Sequence, residues 1–304
     1  MSIKVLRAGR GLIIKSNKYT YAIDAANGRY VDYHFISHAH SDHLPSRVLG
    51  KIVASKETLS LSLGKNFLCG EPEKASTIEL IDSGHILGSR AALIENRILY
   101  TGDFNIRTRL FLRGFEPPEA EILIIEATYG DPRFKFDPFT QLSRYINNLL
   151  TDLLSTGHNI LALGYSLGKS QILTKMFSWY ENVYVSSVVE KYNYIYQKLG
   201  VDLGKYKKWI GKADEPFILI GRLYHRDVKD AVSRYDLVKI EFTGWSVIRK
   251  YEDIIGIPLS DHSDFYDLLR IIDRVKPDKI YTFHGYSDKL AAALRHLGYD
   301  AESI

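Results

Sequence analysis

Short runs of apolar residues dominate residues 1–126, and they are broken by turns that contain glycine, asparagine or proline. Runs of this length, rich in branched aliphatic and aromatic side chains, predict β-strands. The predicted strands occupy residues 4–6, 12–15, 20–24, 34–37, 52–54, 77–81, 91–94, 98–101 and 122–126. We therefore expect a layered sheet structure for this part of the chain.

The rhythm of apolar positions changes at residue 138. Residues 139–154 carry apolar side chains at the spacing of a helix, and strand-like and helical segments then alternate. This alternation predicts a small α/β unit built on a parallel sheet. A helix at 265–275, a strand at 279–283 and a helix at 289–297 follow it.

The composition is that of an ordinary globular chain, with 304 residues, 45% apolar side chains and a net charge of +4. The single cysteine, Cys69, excludes an internal disulfide and a multi-cysteine zinc site, so any metal must be held by histidine and carboxylate. The sequence shows no signal peptide and no apolar run long enough to span a membrane. We expect a protein without membrane contact in a reducing, cytoplasmic compartment.

The densest group of chemically active side chains is His38, His40, Asp42 and His43, which lie within six positions. They follow a predicted strand, and strand alternation sends His38 and His40 to one side. If a helix begins near His43, Asp42 and His43 point toward a second site. Imidazole and carboxylate ligands favour zinc, with manganese and iron as further candidates. The alternative interpretation is a histidine-rich surface turn.

Further histidine and carboxylate side chains lie at the ends of predicted strands or beside glycine turns. Residues that are distant in sequence can come together at such positions to form one site. These residues are Asp24, His85, Asp103, Glu126, His262 and His284.

Three motifs, His-Ala-His-Ser-Asp-His at 38–43, Ser-Gly-His-Ile-Leu-Gly-Ser at 83–89 and Tyr-Thr-Gly-Asp at 100–103, resemble the metallo-β-lactamase fold. The other motifs resemble its β-CASP nuclease branch. Thr243-Gly244-Trp245 is similar to the SNM1 and Artemis type. The segments at 167–171, 260–264 and 282–286 resemble the exonucleases encoded beside DNA ligases in prokaryotes.

This resemblance implies an α/β fold, a metallo-β-lactamase αββα sandwich with an inserted β-CASP α/β cap domain. Residues 1–137 would form the first part of the sandwich and residues 246–304 its returning part. The cap would occupy residues 138–245, in agreement with the change of rhythm at its start.

The resemblance also implies roles for the candidate residues. His38, His40 and His85 would hold one divalent metal, and Asp42, His43 and His284 would hold a second. Asp103 would bridge the two metals, and Asp24 would orient the histidines. Glu126 and His262 would pair near the leaving group, so the catalytic set is Asp42, Glu126 and His262. Zinc is the expected metal, with manganese or magnesium as alternatives for activity. A buried hydrogen bond at a domain junction is the alternative interpretation of the Glu126 and His262 pair.

The expected activity is that of a metal-dependent nuclease, a 5′-exonuclease on DNA with a role in repair or processing. An RNA-processing ribonuclease is the alternative, because eukaryotic DNA-specific members tend to have valine where this chain has His284. A small-molecule metallo-hydrolase and an inactive nucleic-acid-binding scaffold explain fewer of the motifs. By the same resemblance, we expect a nucleic acid substrate and functional association with a DNA ligase or helicase.

A glycine-containing turn opens the helix predicted at 170–180 and offers Ser166, Gly168, Lys169 and Ser170 as a phosphate-binding loop. The first glycine of a Walker A loop would fall at position 163, which is occupied by Leu163, so the loop does not match that motif. An ordinary capped helix start is the alternative interpretation. Basic residues at 107–113, at 205–212 and at 249–250 are candidates for contacts with nucleic acid phosphates.

Overall fold

The structure is a computed structural model that describes residues 3–62, 72–250 and 252–304, so Cys69 lies outside the described residues. The chain divides into two compact units. The first comprises Met1–Ile106, Gly114–Pro132 and His262–Ile304, and the second comprises Arg107–Arg113 and Arg133–Asp261. The second unit thus begins before and ends after the cap range predicted from sequence.

The strands are, in chain order, β1 (Lys4–Ala8), β2 (Gly11–Lys15), β3 (Thr20–Ile23), β4 (Tyr33–Phe35), β5 (Lys51–Val53), β6 (Ile78–Asp82), β7 (Arg90–Ile94), β8 (Ile98–Tyr100), β9 (Ile122–Glu126), β10 (Asn159–Leu163), β11 (Val183–Val185), β12 (Lys207–Lys208), β13 (Ile218–Gly221), β14 (Leu237–Phe242), β15 (Ile255–Ile257), β16 (Lys279–Phe283) and β17 (Ala301–Ser303). The helices are α1 (Lys56–Leu61), α2 (Phe139–Ser155), α3 (Lys169–Phe177), α4 (Ser187–Lys198), α5 (Arg226–Arg234), α6 (Phe265–Val275) and α7 (Ser287–His296), with a short 3-10 helix at Gly244–Val247. Every one of these helices is too short or too polar to cross a membrane.

Two sheets form the centre of the first unit. One has the order β1-β2-β3-β4-β5, and the other has the order β17-β16-β9-β8-β7-β6. Phe35 of the first sheet and Tyr100 and Ile124 of the second belong to one buried cluster, so the sheets pack face to face. Burial of these large side chains is the main term that holds the two layers together.

Helices cover the outer faces of this pair of sheets. Leu268 of α6 and Leu290 of α7 are buried against Leu123 of the second sheet. On the other side, Leu59 of α1 packs against the buried Ile36. The layers are therefore helix, sheet, sheet and helix, which confirms the predicted αββα sandwich.

Each of the nine strand runs predicted in residues 1–126 overlaps one of the strands β1–β9. The helix predicted to begin near His43 is wrong, because residues 41–43 form only a turn. His43 N and Leu44 N both donate to His40 O, at 3.0 and 3.1 Å. Pro45 follows directly, and a proline disfavours the helical conformation of the residue before it.

The second unit is built on a six-stranded sheet of order β12-β11-β13-β10-β14-β15 in which every pair is parallel. Its centre strand β10 is buried along its whole length, as parallel strands covered on both faces are. Helix α2 buries Leu142, Ile146 and Leu150, spaced four residues apart, against one face of the sheet. The predicted α/β unit with a parallel sheet is therefore present.

Candidate metal centre

The polar side chains singled out in the first unit lie at or just beyond strand ends. Asp24 follows β3, the run from His38 to His43 follows β4, His85 follows β6, Asp103 follows β8, Glu126 ends β9 and His284 follows β16. Because β8, β9 and β16 run parallel, their carboxyl ends reach the same edge of the sheet. Gly102 has a φ of +54°, and a Cβ there would overlap the side chain of Ser37. The tight turn before Asp103 therefore requires glycine.

His38, His40, His85 and Asp103 form a compact group whose ligand atoms all lie within 4.8 Å of one another. His40 Nδ1 is 3.1 Å from Nε2 of both His38 and His85. Asp103 Oδ2 is 3.4 Å from His38 Nε2 and 3.7 Å from His85 Nε2. Three imidazoles and one carboxylate converging in this way have the composition of a divalent metal site.

Asp24 orients two of the histidines. Its Oδ2 accepts hydrogen bonds from His43 Nδ1 at 2.9 Å and from the Ser37 hydroxyl at 2.9 Å. Ser37 Oγ lies 3.0 Å from His38 Nδ1, so Asp24 reaches His38 through Ser37. With their Nδ1 atoms held in this way, His43 and His38 turn Nε2 toward Asp103, 3.4 Å away in both cases. A carboxylate behind a histidine is the usual means of fixing a ligand's tautomer and direction.

The charges in this group depend strongly on one another. Burial acts to lower the pKa of His43, but the carboxylates of Asp103 and Asp24 outweigh it and raise that pKa to about 10. Burial raises the pKa of Asp103 to about 6, although the charge of His43 opposes the shift. Burial, followed by the charges of His43 and His40, holds the pKa of His38 well below its ordinary value. A cation bound beside these carboxylates would compete with a proton on His43 for the same negative charge.

His284 and Asp42 are the other members predicted for the second metal, and the charge of each is influenced by His43. The ring centroids of His284 and His43 are 5.2 Å apart. His284 Nε2 is buried without a hydrogen-bond partner among the described residues, and burial lowers the pKa of His284 to about 4. Desolvation acts to raise the pKa of Asp42, but His43 and His40 leave it below its ordinary value. Asp42 is the solvent-exposed member of the set.

Glu126 and His262 form a close pair. His262 Nδ1 lies 2.9 Å from both carboxylate oxygens of Glu126 and donates to them. Glu126 also accepts the backbone N–H of Phe104 at 3.0 Å. Burial acts to raise the pKa of Glu126, but the charge of His262 outweighs it and lowers that pKa. The other ring nitrogen, His262 Nε2, lies 3.9 Å from Asp103 Oδ2, which places it beside the candidate metal group.

The residues fit bound divalent metal. A pair of imidazole nitrogens 3.1 Å apart needs a proton or a cation between them, and His38, His40 and His85 present two such pairs. The buried Nε2 of His284 has no partner among the residues described, as expected of a ligand atom. Histidine and carboxylate together suit zinc.

Comparisons with known proteins agree with this chemistry. A family model described as "Zn-dependent metallo-hydrolase RNA specificity domain" matches residues 247–302. A "Probable DNA ligase" of Opitutus terrae is 28% identical over 303 residues, which cover 91% of this chain and 30% of that protein. The "DNA cross-link repair protein SNM1" of Arabidopsis thaliana is 26% identical over 294 residues, which cover 81% of this chain and 60% of the relative.

A crystal structure of a protein of unknown function from Enterococcus faecalis V583 has the same fold, with a TM-score of 0.65 over 99% of this chain and 96% of that chain. Its sequence identity is 14%, so the likeness concerns the fold alone. The chain is similar to the β-CASP nuclease branch of the metallo-β-lactamase superfamily. The predicted SNM1-like and ligase-linked relatives are thereby confirmed. The chain spans less than two thirds of the length of these two relatives.

The side chains of the predicted phosphate-binding loop make contacts within the second unit. Lys169 is 2% exposed, and its ammonium group donates to Asp261 Oδ1 at 2.9 Å. The Ser170 hydroxyl donates to Tyr165 O at 2.8 Å, and Gly168 N donates to Gln171 Oε1 at 2.7 Å. These contacts are those of a capped helix start, which was the alternative interpretation.

Ser166 Oγ lies 3.2 Å from His225 Nε2, so it also has a partner within the second unit. A role of Ser166, Gly168, Lys169 and Ser170 in binding phosphate stays a prediction.

Two residues near the metal group were not predicted from the sequence, and a third, Arg109, was predicted only as one of the basic residues at 107–113. Tyr100 donates its hydroxyl to Asp24 Oδ2 at 2.6 Å, and Ser37 links Asp24 to His38. Arg109 Nη1 donates to Asp261 Oδ1 at 3.0 Å, next to the contact from Lys169. Ser37 directly precedes the motif at 38–43 and Tyr100 opens the motif at 100–103, and these positions are the signal that could have indicated them.

Proposed function

We propose that this chain is a metal-dependent nuclease that hydrolyses phosphodiester bonds, and that it acts as a 5′-exonuclease on DNA. The observation that carries the proposal is the pairing of His262 with Glu126 beside the group of His38, His85 and Asp103. A metal site alone could serve many hydrolytic reactions. A histidine held by a buried carboxylate next to that site adds the proton donor that a departing alkoxide needs.

The positions of the side chains support the ligand sets that the resemblance implies. His38, His40 and His85 would hold one ion and Asp42, His43 and His284 the other, with Asp103 between them. Divalent ions held there would act as Lewis acids toward a phosphodiester and its attacking water. Asp24 keeps His43, and through Ser37 also His38, in the tautomer that presents Nε2 to the site.

His262 acts on the leaving group in this proposal. Its Nδ1–H donates to the carboxylate of Glu126, which stabilises the positively charged imidazolium. The protonated Nε2 then transfers its proton to the departing oxygen, and Glu126 keeps the ring in position as the charge is lost. General acid catalysis of this kind contributes about 10² to 10⁴ in rate.

The preference for DNA is supported by similarity to relatives named as a DNA cross-link repair protein and a probable DNA ligase. The 5′ polarity is what the resemblance of residues 167–171, 260–264 and 282–286 to ligase-linked exonucleases implies. From the single cysteine we propose that the chain acts in the cytoplasm. From the resemblance we propose that it associates with a DNA ligase or helicase. RNA is the second candidate substrate. It is favoured by His284 and by the match of residues 247–302 to a domain described as conferring RNA specificity.

The test is a panel of DNA and RNA strands of equal sequence, single-stranded and duplex, labelled at either end and carrying either a 5′-phosphate or a 5′-hydroxyl. Each strand is incubated with zinc, manganese or magnesium. We expect mononucleotide release from the 5′ end of DNA by the wild type and none by Asp42→Ala. His296→Ala, which changes an exposed histidine of α7, is the matched control and should cleave at the wild-type rate.

Other products would each correct a different part of the proposal. Preferential cleavage of RNA would select the second candidate, and internal fragments would replace exonuclease by endonuclease action. Hydrolysis of a thioester or lactam without cleavage of either polymer would reject a nuclease. Binding of nucleic acid without cleavage under any metal would indicate an inactive scaffold.

A further inference from the structure

The second unit contains a cavity of about 190 Å³ at the carboxyl ends of β10, β13 and β14. Strands β10 and β13 are hydrogen-bonded neighbours, but their following helices lie on opposite faces of the sheet. Ile172 of α3 packs with Ile160 and Ile220 on one face, whereas Val228 of α5 packs with Leu219 on the other. The chain therefore leaves the two strands in opposite directions. Such a switch point opens the crevice in which parallel α/β sheets bind ligands.

Aromatic rings and guanidinium groups line this cavity together. The Arg222 guanidinium carbon is 4.4 Å from the ring centroid of Tyr165 and 5.0 Å from that of Tyr224. Arg249 lies 5.0 Å from the ring centroid of Trp245. Tyr165 and Tyr224 are 54% and 63% exposed. Flat aromatic and guanidinium surfaces of this kind are what unpaired nucleobases stack on.

One acceptor in the lining lacks a donor. Glu241 lies at the end of β14 and lines the same cavity. Its Oε2 is buried, and no hydrogen-bond partner for it exists within residues 3–62, 72–250 and 252–304. A buried carboxylate oxygen ordinarily has a donor, so a ligand that brings an N–H group would complete this site. Amino groups on base edges are such donors.

We propose that this cavity binds a single nucleotide, its base stacked against the aromatic and guanidinium lining and its amino edge on Glu241. Arg222 and Arg249 supply the positive charge that a phosphate requires, and two guanidinium groups against one carboxylate favour an anionic ligand. The cavity is below the usual range for drug-sized molecules, which suits one base rather than a duplex. As a subsite for a nucleic acid strand, the assignment rests on the proposed nuclease function.

The ligand can be a free nucleotide or one nucleotide of a strand, and the experiment separates the two. Nucleoside 5′-monophosphates and phosphorothioate hexanucleotides, which resist cleavage, are titrated into the metal-loaded wild type by calorimetry. Quenching of tryptophan fluorescence is recorded in parallel. We expect guanosine, adenosine and cytidine monophosphates, whose bases carry amino groups, to bind at least ~3-fold more tightly than uridine monophosphate. A hexanucleotide that binds at least ~10-fold more tightly than any monophosphate would identify the strand as the ligand.

Two substitutions test the assignment of residues. Arg222→Ala should raise the dissociation constant at least ~10-fold for every nucleotide, because it removes stacking surface and charge together. Glu241→Gln keeps the size of the side chain, and it should bring uridine monophosphate level with the other three. Arg234→Ala, an exposed arginine of α5 paired with Asp230, is the matched control and should leave binding unchanged. Arg222→Lys, which keeps the charge, guards against a folding defect, and circular dichroism checks each variant.

The outcomes distinguish this proposal from the nuclease function. If the dissociation constant of each ligand is the same for the wild type, Arg222→Ala and Arg222→Lys, the cavity is not a nucleotide site. This conclusion holds even where cleavage is normal. An unaltered preference among bases in Glu241→Gln would remove the base contact from the proposal. Binding that depends on Arg222 and Glu241 in a protein that cleaves nothing would support the site while rejecting the nuclease.

Discussion

Two buried groups of charged and polar side chains, one in each unit, differ in what they still require. In the candidate metal centre of the first unit, imidazole nitrogens lie close to one another and to carboxylate oxygens. His284 Nε2 has no hydrogen-bond partner among the described residues. In the second unit, Lys169 and Arg109 both donate to Asp261, so each of these charged groups already has a partner of opposite sign.

The difference teaches how a buried polar group becomes a site. Burial of charge is costly in both units, and each unit must compensate it. The group around Lys169 compensates with its own side chains, because both cations reach the carboxylate of Asp261. The group around Asp103 compensates only in part, by protonation of His43, and a divalent ion can replace that proton. Unmet coordination, rather than the number of charged residues, identifies the candidate active site.

The largest expected effect comes from Asp103→Asn. An amide in place of the carboxylate removes the negative charge that lies beside both His38 and His43. We therefore expect the variant to lose its bound zinc, and its cleavage rate to fall to background. Elemental analysis of the purified variant measures the metal, and the end-labelled strands measure cleavage. Asp82→Asn, at an exposed position of β6, should retain both. Full metal content in Asp103→Asn would show that the other ligands suffice.

The next effect separates chemistry from metal binding. His262→Ala removes the proposed proton donor but none of the proposed ligands, so cleavage should fall by about 10² to 10⁴ while metal content stays at the wild-type level. With a substrate whose leaving group needs no proton, the cleavage rate of His262→Ala should return most of the way to the wild-type rate. If metal is lost together with activity, His262 is a ligand, and the division of roles drawn here is incorrect.

A smaller effect is expected behind the ligands. Asp24→Asn should lower zinc affinity by about 10- to 100-fold, because the neutral amide no longer fixes His43 and, through Ser37, His38. Competition with a chromogenic chelator measures the affinity. Asp32→Asn, an exposed aspartate after β3, serves as the matched control. Affinity equal to the wild type would mean that packing alone orients these rings.

The smallest expected effect concerns the buried group of Lys169, Arg109 and Asp261 in the second unit. Burial, only partly opposed by Asp261, lowers the pKa of Lys169 to about 8. Above that pH the side chain of Lys169 loses its proton in the folded chain, whereas in the unfolded chain it keeps the proton up to the ordinary pKa of lysine. Over this range the unfolded state binds more protons, so stability rises with pH. Between pH 7 and pH 9, the wild type should gain about 1 kcal/mol in unfolding free energy relative to Lys169→Met.

Lys175→Met, on the same helix but partly exposed and paired with Asp202, should show no such change relative to the wild type. Urea unfolding at each pH measures the difference. Lys169→Met also tests the predicted phosphate-binding loop. A lysine committed to Asp261 should leave the preference for 5′-phosphorylated ends intact, whereas a clear fall in that preference would show that Lys169 reaches the substrate.

The convergence of the metal centre could be expected from the sequence because its ligands are local in sequence or lie at strand ends. The run from His38 to His43 needs no tertiary information, and the parallel strands β8, β9 and β16 necessarily end on one edge. The expected helix at His43 failed because the pattern of ligands says nothing about Pro45, which limits the segment to a turn.

The second unit could be predicted less well beyond its sheet. Lys169 looked like a phosphate ligand because a glycine turn followed by a helix is a common anion site. Its partners Arg109 and Asp261 are 60 and 92 residues distant in sequence, and only the fold brings them to it. The cavity beside Arg222 and Glu241 depends in the same way on which face each helix takes, and no local pattern records that choice.

The turn after β16 has a consequence for how such sites are found. His284 and Gly285 are both left-handed, with φ of 64° and 51°. Phe283 O and Tyr286 N both bond to Ala127, directly after Glu126, and a Cβ on Gly285 would overlap the backbone of Ala127 and Thr128. One glycine without any reactive atom therefore aligns an expected ligand with the carboxylate that holds the proposed proton donor. A search for related sites by reactive side chains alone would overlook the residue that keeps them in register.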